Sequence, residues 1–138
     1  MIQNRLYVEL DKSWSWCGLD YSSYLLKEPP GNNVRTYNEW EDEYPYWEDL
    51  MTVAKKYLSV INKSKKVFDE DDRIYEVISI DWQDEELMCY AFENLYKDSL
   101  ESFCEEAMNS EDLNCRAQVA HGLRDYKPLF TSKFISRI

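Results

Sequence analysis

The sequence predicts an all-α fold of about six or seven helices in which residues 1–138 form a single domain. Two observations predict it. Every legible apolar stripe repeats with a helical period, and only residues 1–10 hint at the alternation of a strand. The composition, 44% hydrophobic with 5 Trp, 11 Tyr and 5 Phe in 138 residues, provides one sizeable core, and the length leaves no room for a second. Three Gly and four Pro are too few for a low-complexity linker. The chain should therefore fold.

Arg5 to Leu10 fits a helix or a strand, and the helical reading is preferred. Trp14, Cys17, Tyr21, Tyr24 and Leu25 then follow at helical spacing, and Glu28-Pro29-Pro30-Gly31-Asn32-Asn33 breaks the chain. The clearest stripe is Trp47, Leu50, Met51, Ala54, Tyr57, Leu58 and Ile61, which predicts a helix from about Pro45 to Asn62. Pro45 suits its first position, while Glu48 and Asp49 at the start and Lys55, Lys56 and Lys63 toward the end complement the helix dipole. A short helix is expected from near Asp69, with Asp71 and Asp72 in its first turn and Ile74, Val77 and Ile78 as its stripe. Asp84, Glu85 and Glu86 introduce a third, carrying Leu87, Met88, Ala91, Phe92, Leu95 and Tyr96. Leu100, Phe103, Cys104, Ala107 and Met108 mark a fourth. Ser110 with Glu111 and Asp112 forms the cap and acidic first turn of a fifth, whose face is Leu113, Ala117, Ala120 and Leu123. Pro128 opens a last helix with Leu129, Phe130, Phe134, Ile135 and Ile138. The last four helices are expected to stack as antiparallel hairpins.

Residues 1–12 lack the pattern of a secretory signal, and no apolar run approaches the ~18 residues needed to span a bilayer. A cytoplasmic protein without membrane contact is expected. Cys17, Cys89, Cys104 and Cys115 form no CxxC pair and read as reduced core thiols.

The charge is uneven. Residues 1–68 carry 9 basic and 10 acidic side chains, residues 69–112 carry 2 and 16, and residues 113–138 carry 5 and 1. The net charge of -11 works against direct nucleic-acid binding, and a self-repelling acidic block invites a basic partner. A second acidic cluster, Glu39-Trp40-Glu41-Asp42-Glu43-Tyr44-Pro45-Tyr46-Trp47-Glu48-Asp49, interleaves carboxylates with four aromatics. The expected partner-binding surface is Glu39, Trp40, Glu41, Asp42, Glu43, Tyr44 and Tyr46, together with Asp71, Asp72, Asp84 and Glu85. In the competing reading, Trp40, Tyr44 and Tyr46 pack a helix start onto the core while the acids stay solvated.

No GxGxxG, P-loop, GxSxG or HExxH motif occurs. The one histidine, His121, lies six residues from Cys115 and thus on another helical face, so a hydrogen-bonded packing role is preferred to a metal pair. No catalytic residue, metal or cofactor is expected.

Residues 84–109 align with 110–135 at an offset of 26, matching Leu87 with Leu113, Cys89 with Cys115, Ala91 with Ala117, and Leu100 and Phe103 with Tyr126 and Leu129. The run Ser110 to Ala120 resembles the second-half helices of HEAT-type repeats, which implies HEAT-like stacking in the C-terminal half. Asp98, Glu101, Glu105 and Glu106 resemble the magnesium carboxylates of MazG-type nucleotide pyrophosphatases, but the ExxE-then-ExxxD order of that family is missing. In general profile, a small, acidic, helical chain with no catalytic apparatus is similar to bacterial immunity proteins. That resemblance implies a non-enzymatic inhibitor of a basic protein, a nuclease toxin of contact-dependent growth inhibition or bacteriocin type. A phage nucleic-acid mimic that blocks a restriction or CRISPR protein, and a helical-repeat scaffold, remain as alternatives. The oligomeric state is not legible.

Overall fold

The computed structural model describes residues 1–25, 40–64, 67–69 and 71–137. The expected break at Glu28–Asn33, and the candidate site residue Glu39, lie outside them. Among the described residues are eight α-helices and one 3-10 helix, with no strand.

α1 (Ile2–Cys17) resolves the ambiguity at Arg5 to Leu10 in favour of a helix. It buries Leu6, Leu10, Ser13 and Trp14, a stripe of helical period. Gly18 ends it at φ 85°, a left-handed conformation in which its N–H reaches the Trp14 carbonyl at 2.9 Å. α2 (Tyr21–Leu25) follows, its start capped by the Asp20 side chain, which accepts from Ser23 N–H at 2.8 Å. After α3 (Trp40–Glu43), α4 (Trp47–Ser64) buries the whole expected stripe and lies along α1. Pro45 sits in the turn before it rather than in its first position.

α5 (Ile74–Ile80) is the hub of the molecule, with all seven residues buried among α1, α4, α6 and α8. It starts later than the expected Asp69. Asp72 is the reason: its Oδ1 accepts from Ile74 N–H at 3.1 Å, so the carboxylate placed in the first turn by the sequence instead precedes the helix. α6 (Glu86–Asn94) and α7 (Lys97–Asn109) bury the apolar residues expected of them, except that Leu95 and Tyr96 fall in the turn between the two and Tyr96 is exposed.

α8 (Leu113–Tyr126) packs against α5, α6 and α7, and here two expectations are corrected. Its cap is Asp112, not Ser110, since Asp112 Oδ1 accepts from Asn114 and Cys115 N–H at 3.0 and 3.1 Å. Its buried face is Cys115, Gln118, Val119, Gly122 and Leu123, whereas Leu113 is 67% exposed and Ala117 is also exposed. Two features of α8 that hydropathy does not reveal account for the difference. Gln118 enters the core because its amide donates to the Ile78 carbonyl. Gly122 faces the Phe92 ring so closely that a Cβ would stand 2.3 Å from Cε2, so the glycine sets the approach of α6 to α8.

The chain closes with a 3-10 helix (Thr131–Arg137) instead of an α-helix opened by Pro128. Phe130 and Phe134 are buried and meet edge to face at 6.0 Å, while Leu129 is 93% exposed and Ile135 is also exposed. The 26-residue alignment does not survive in the packing. Leu87, Ala91, Leu100 and Phe103 are buried, but Leu113, Ala117, Tyr126 and Leu129 are exposed, so the paired positions face opposite ways. Cys104 and Cys115 are buried, Cys17 and Cys89 half-buried, and all four thiols are free. Among the described residues no helix is long and apolar enough to cross a membrane.

Candidate protein-binding surface

The two ends of α5 organise the carboxylates. Between α2, the start of α5, the end of α7 and the start of α8 lies an open cleft of about 500 Å³, lined by Asp71, Asp72, Glu76, Glu106, Glu111 and Asp112. Arg73 is the cation among its lining residues. An adjoining recess of about 700 Å³ shares Tyr21, Arg73 and Glu76 with it and adds Asp11 and Asp20.

Several of these carboxylates hold the fold together. Glu76 Oε1 accepts from Trp14 Nε1 at 2.7 Å, and Glu76 Oε2 accepts from Arg73 Nε at 2.7 Å. The same guanidinium reaches Asp11 Oδ1 at 3.0 Å, so the positive charge is already engaged on two sides. Asp112, besides capping α8, accepts from the Tyr21 hydroxyl and thereby ties α2 to α8. Burial, followed by nearby negative charge including Asp112, pushes the Tyr21 phenol far above its ordinary range, which keeps it a donor. Asp72 accepts from Tyr57 OH at 2.9 Å on both oxygens. Asp71 and Glu111 stand exposed at the rim.

At the other end of α5 stands α3. Glu41, half-buried, accepts the backbone N–H of Gln83 at 3.0 Å and of Asp84 at 3.1 Å, which docks α3 onto the turn between α5 and α6. Asp42, Glu43 and Asp84 are exposed, and Glu85 is half-buried beneath His121, whose Nδ1 lies 3.2 Å from Glu85 Oε2. His121 is therefore an exposed partner of a carboxylate and not a packing residue.

The expected surface thus divides in two. Asp71 and Asp72 stand at the start of α5, while Glu41, Asp84 and Glu85 stand beyond its end, roughly 10 Å away along a seven-residue helix. Two of its aromatics are corrected outright. Trp40 is 1% exposed, with ring centroids 5.4 Å from both Trp14 and Trp16, and Tyr44 is buried 5.1 Å from Trp16. Positions 40 and 44 share the inner side of one helical turn, so both rings go to the core and 42 and 43 point outward. Burial, reinforced by Glu9, pushes the Tyr44 phenol up to about 12. Tyr46 does reach the surface, 49% exposed with Lys12 Nζ 4.3 Å above its ring.

Sequence reasoning missed Asp11, Asp20, Glu106 and Glu111. The first two sit in a segment of nearly balanced charge. The last two have no aromatic neighbours in sequence, because Tyr21 and Tyr75 are supplied to the cleft by other elements. Asp98, Glu101, Glu105 and Glu106 do line one shallow recess of about 360 Å³, but all four project from α7, not from adjacent helices, and Lys133 Nζ contacts Glu101 at 2.8 Å. Among the described residues no three His, Cys, Asp or Glu side chains are grouped to hold a metal ion.

Comparison with protein-family models, with curated proteins and with solved structures found no match for this chain.

Proposed function

We propose that the protein is a non-enzymatic inhibitor that acts in the cytoplasm by binding and neutralising a basic protein, as the immunity protein of a nuclease toxin does. The observation that supports this reading is the acidic cleft at the start of α5, lined by six carboxylates, of which Asp71 and Glu111 are exposed, and by one guanidinium that Glu76 and Asp11 already engage. A concave acidic surface suits a protruding Lys- or Arg-rich segment, which gains charge-assisted hydrogen bonds there and relieves the repulsion among the carboxylates. The exposed acids Asp42, Glu43 and Asp84 extend the negative field beyond the cleft.

Affinity capture at low salt, with mass-spectrometric identification, should return one basic protein whose activity is lost on stoichiometric binding. Asp71→Lys with Glu111→Lys reverses two exposed charges at the cleft rim and is expected to weaken the purified complex by about tenfold or more, or ~1.4 kcal/mol. Asp42→Lys with Glu43→Lys should weaken it less. A captured protein that binds all three forms equally, or binds without losing activity, contradicts the reading.

A further inference from the structure

Asp81 is the C-cap of α5 and is completely buried. Its Oδ2 accepts from Leu87 N–H at 2.8 Å, but its Oδ1 is buried with no hydrogen-bond donor. Glu41, whose carboxylate bonds the backbone of the turn that follows Asp81, is the first of the carboxyl groups that act on it. A buried carboxylate oxygen without a donor, facing a second carboxyl, is chemically explained by a proton on one of the two.

The surroundings reinforce this. Glu86, at the start of α6, adds negative charge near Asp81. Lys55 of α4 is spent on Glu86, and His121 of α8 on Glu85. No cation is paired with Asp81 or Glu41 among the described residues.

We propose that Asp81 is a neutral carboxylic acid at neutral pH that shares its proton with Glu41, and that this proton latches α3 onto the α5–α6 turn, so that alkaline pH releases α3. Glu41 is the moving part, because its other bonds are to the backbone N–H groups of Gln83 and Asp84 on that same turn. Loss of the proton sets two ionised carboxylates against each other beneath α3, and α3 carries Trp40 out of its aromatic cluster.

Burial first, then the nearby carboxylates, raise Asp81 from an ordinary 3.8 to about 8, while its bond from Leu87 N–H opposes the rise. The folded-state value lies above the unfolded one. The contribution of Asp81 to stability is therefore complete below about pH 4, declines as pH rises, and is gone above about pH 8.

The test is a pH titration of the carboxyl carbon resonances in aspartate-labelled protein, with tryptophan emission followed on the same samples. One aspartate is expected to titrate near pH 8, to be missing from Asp81→Asn, and to be accompanied by a red shift of emission that Asp81→Asn lacks. Asparagine keeps the acceptor for Leu87 N–H, so this variant should fold. Glu41→Gln provides an independent check, since removing the facing charge should lower the Asp81 midpoint. Titration of every aspartate below about pH 6, an emission change that persists in Asp81→Asn, or an unchanged midpoint in Glu41→Gln would each overturn the proposal.

Discussion

Trp40→Ala is expected to destabilise the fold by about 3–5 kcal/mol, the range for truncating a fully buried aromatic. Trp40 stands where α1 and α3 meet, edge-on to Trp14, tilted against Trp16 and edge-on to Tyr44. Its indole N–H has no hydrogen-bond partner, so the residue contributes through apolar contact alone. A four-residue helix has no stability of its own, and removal of its anchor should free α3 as well as leave a cavity. Trp40→Phe keeps most of the contact and discards the unpartnered N–H, so its cost should stay below about 1.5 kcal/mol. Urea unfolding followed by far-ultraviolet circular dichroism measures both. A loss under about 1 kcal/mol in Trp40→Ala would return Trp40 to the surface, where the sequence had placed it as a partner anchor.

The second large effect is expected at Glu76. This nearly buried carboxylate satisfies the Trp14 indole N–H and both Nε and Nη2 of Arg73, at 2.7, 2.7 and 3.1 Å. Glu76→Ala leaves two buried or half-buried donors without their acceptor, and breaking such an arrangement from one side costs about 3–5 kcal/mol. The lower end applies, since Asp11 still offers Arg73 an acceptor and the guanidinium is a quarter exposed. Asp11→Ala, which removes an exposed carboxylate, should cost less than about 1 kcal/mol. Equal effects from the two variants would show that Glu76 is not the member that organises this corner.

These two residues also mark what was legible in the sequence and what was not. The stripe from Trp47 to Ile61 and those of α6 and α7 are regular enough that hydropathy alone places them, and α1 needed only the choice between two periods. α5 is buried all round, so it offers no polar face to mark its bounds, and the turn that Asp72 closes onto Ile74 N–H precedes its start. α8 was misjudged because Gln118 and Gly122 belong to its inner face for reasons of hydrogen bonding and close approach. Trp40 and Tyr44 look like exposed anchors among acids, but a spacing of four residues at a helix start is also the geometry of an inward face. The acidic block at residues 69–112 was visible in composition, yet its division between the two ends of α5 depends on tertiary structure. Glu76 and Asp81 counted there as surface charge and are in fact buried.

The central claim, that an acidic surface captures a basic partner, predicts an association rate governed by long-range attraction, which salt screens over about 8 Å at physiological ionic strength. The most direct measurement is the association rate with the captured partner at low and at high salt, for the native protein and for Asp71→Lys with Glu111→Lys. The account predicts a rate that falls about tenfold or more as salt rises, and a variant that associates slowly at both concentrations. A rate indifferent to salt and to the charge reversal would contradict it, and the cleft would then be a solvated face.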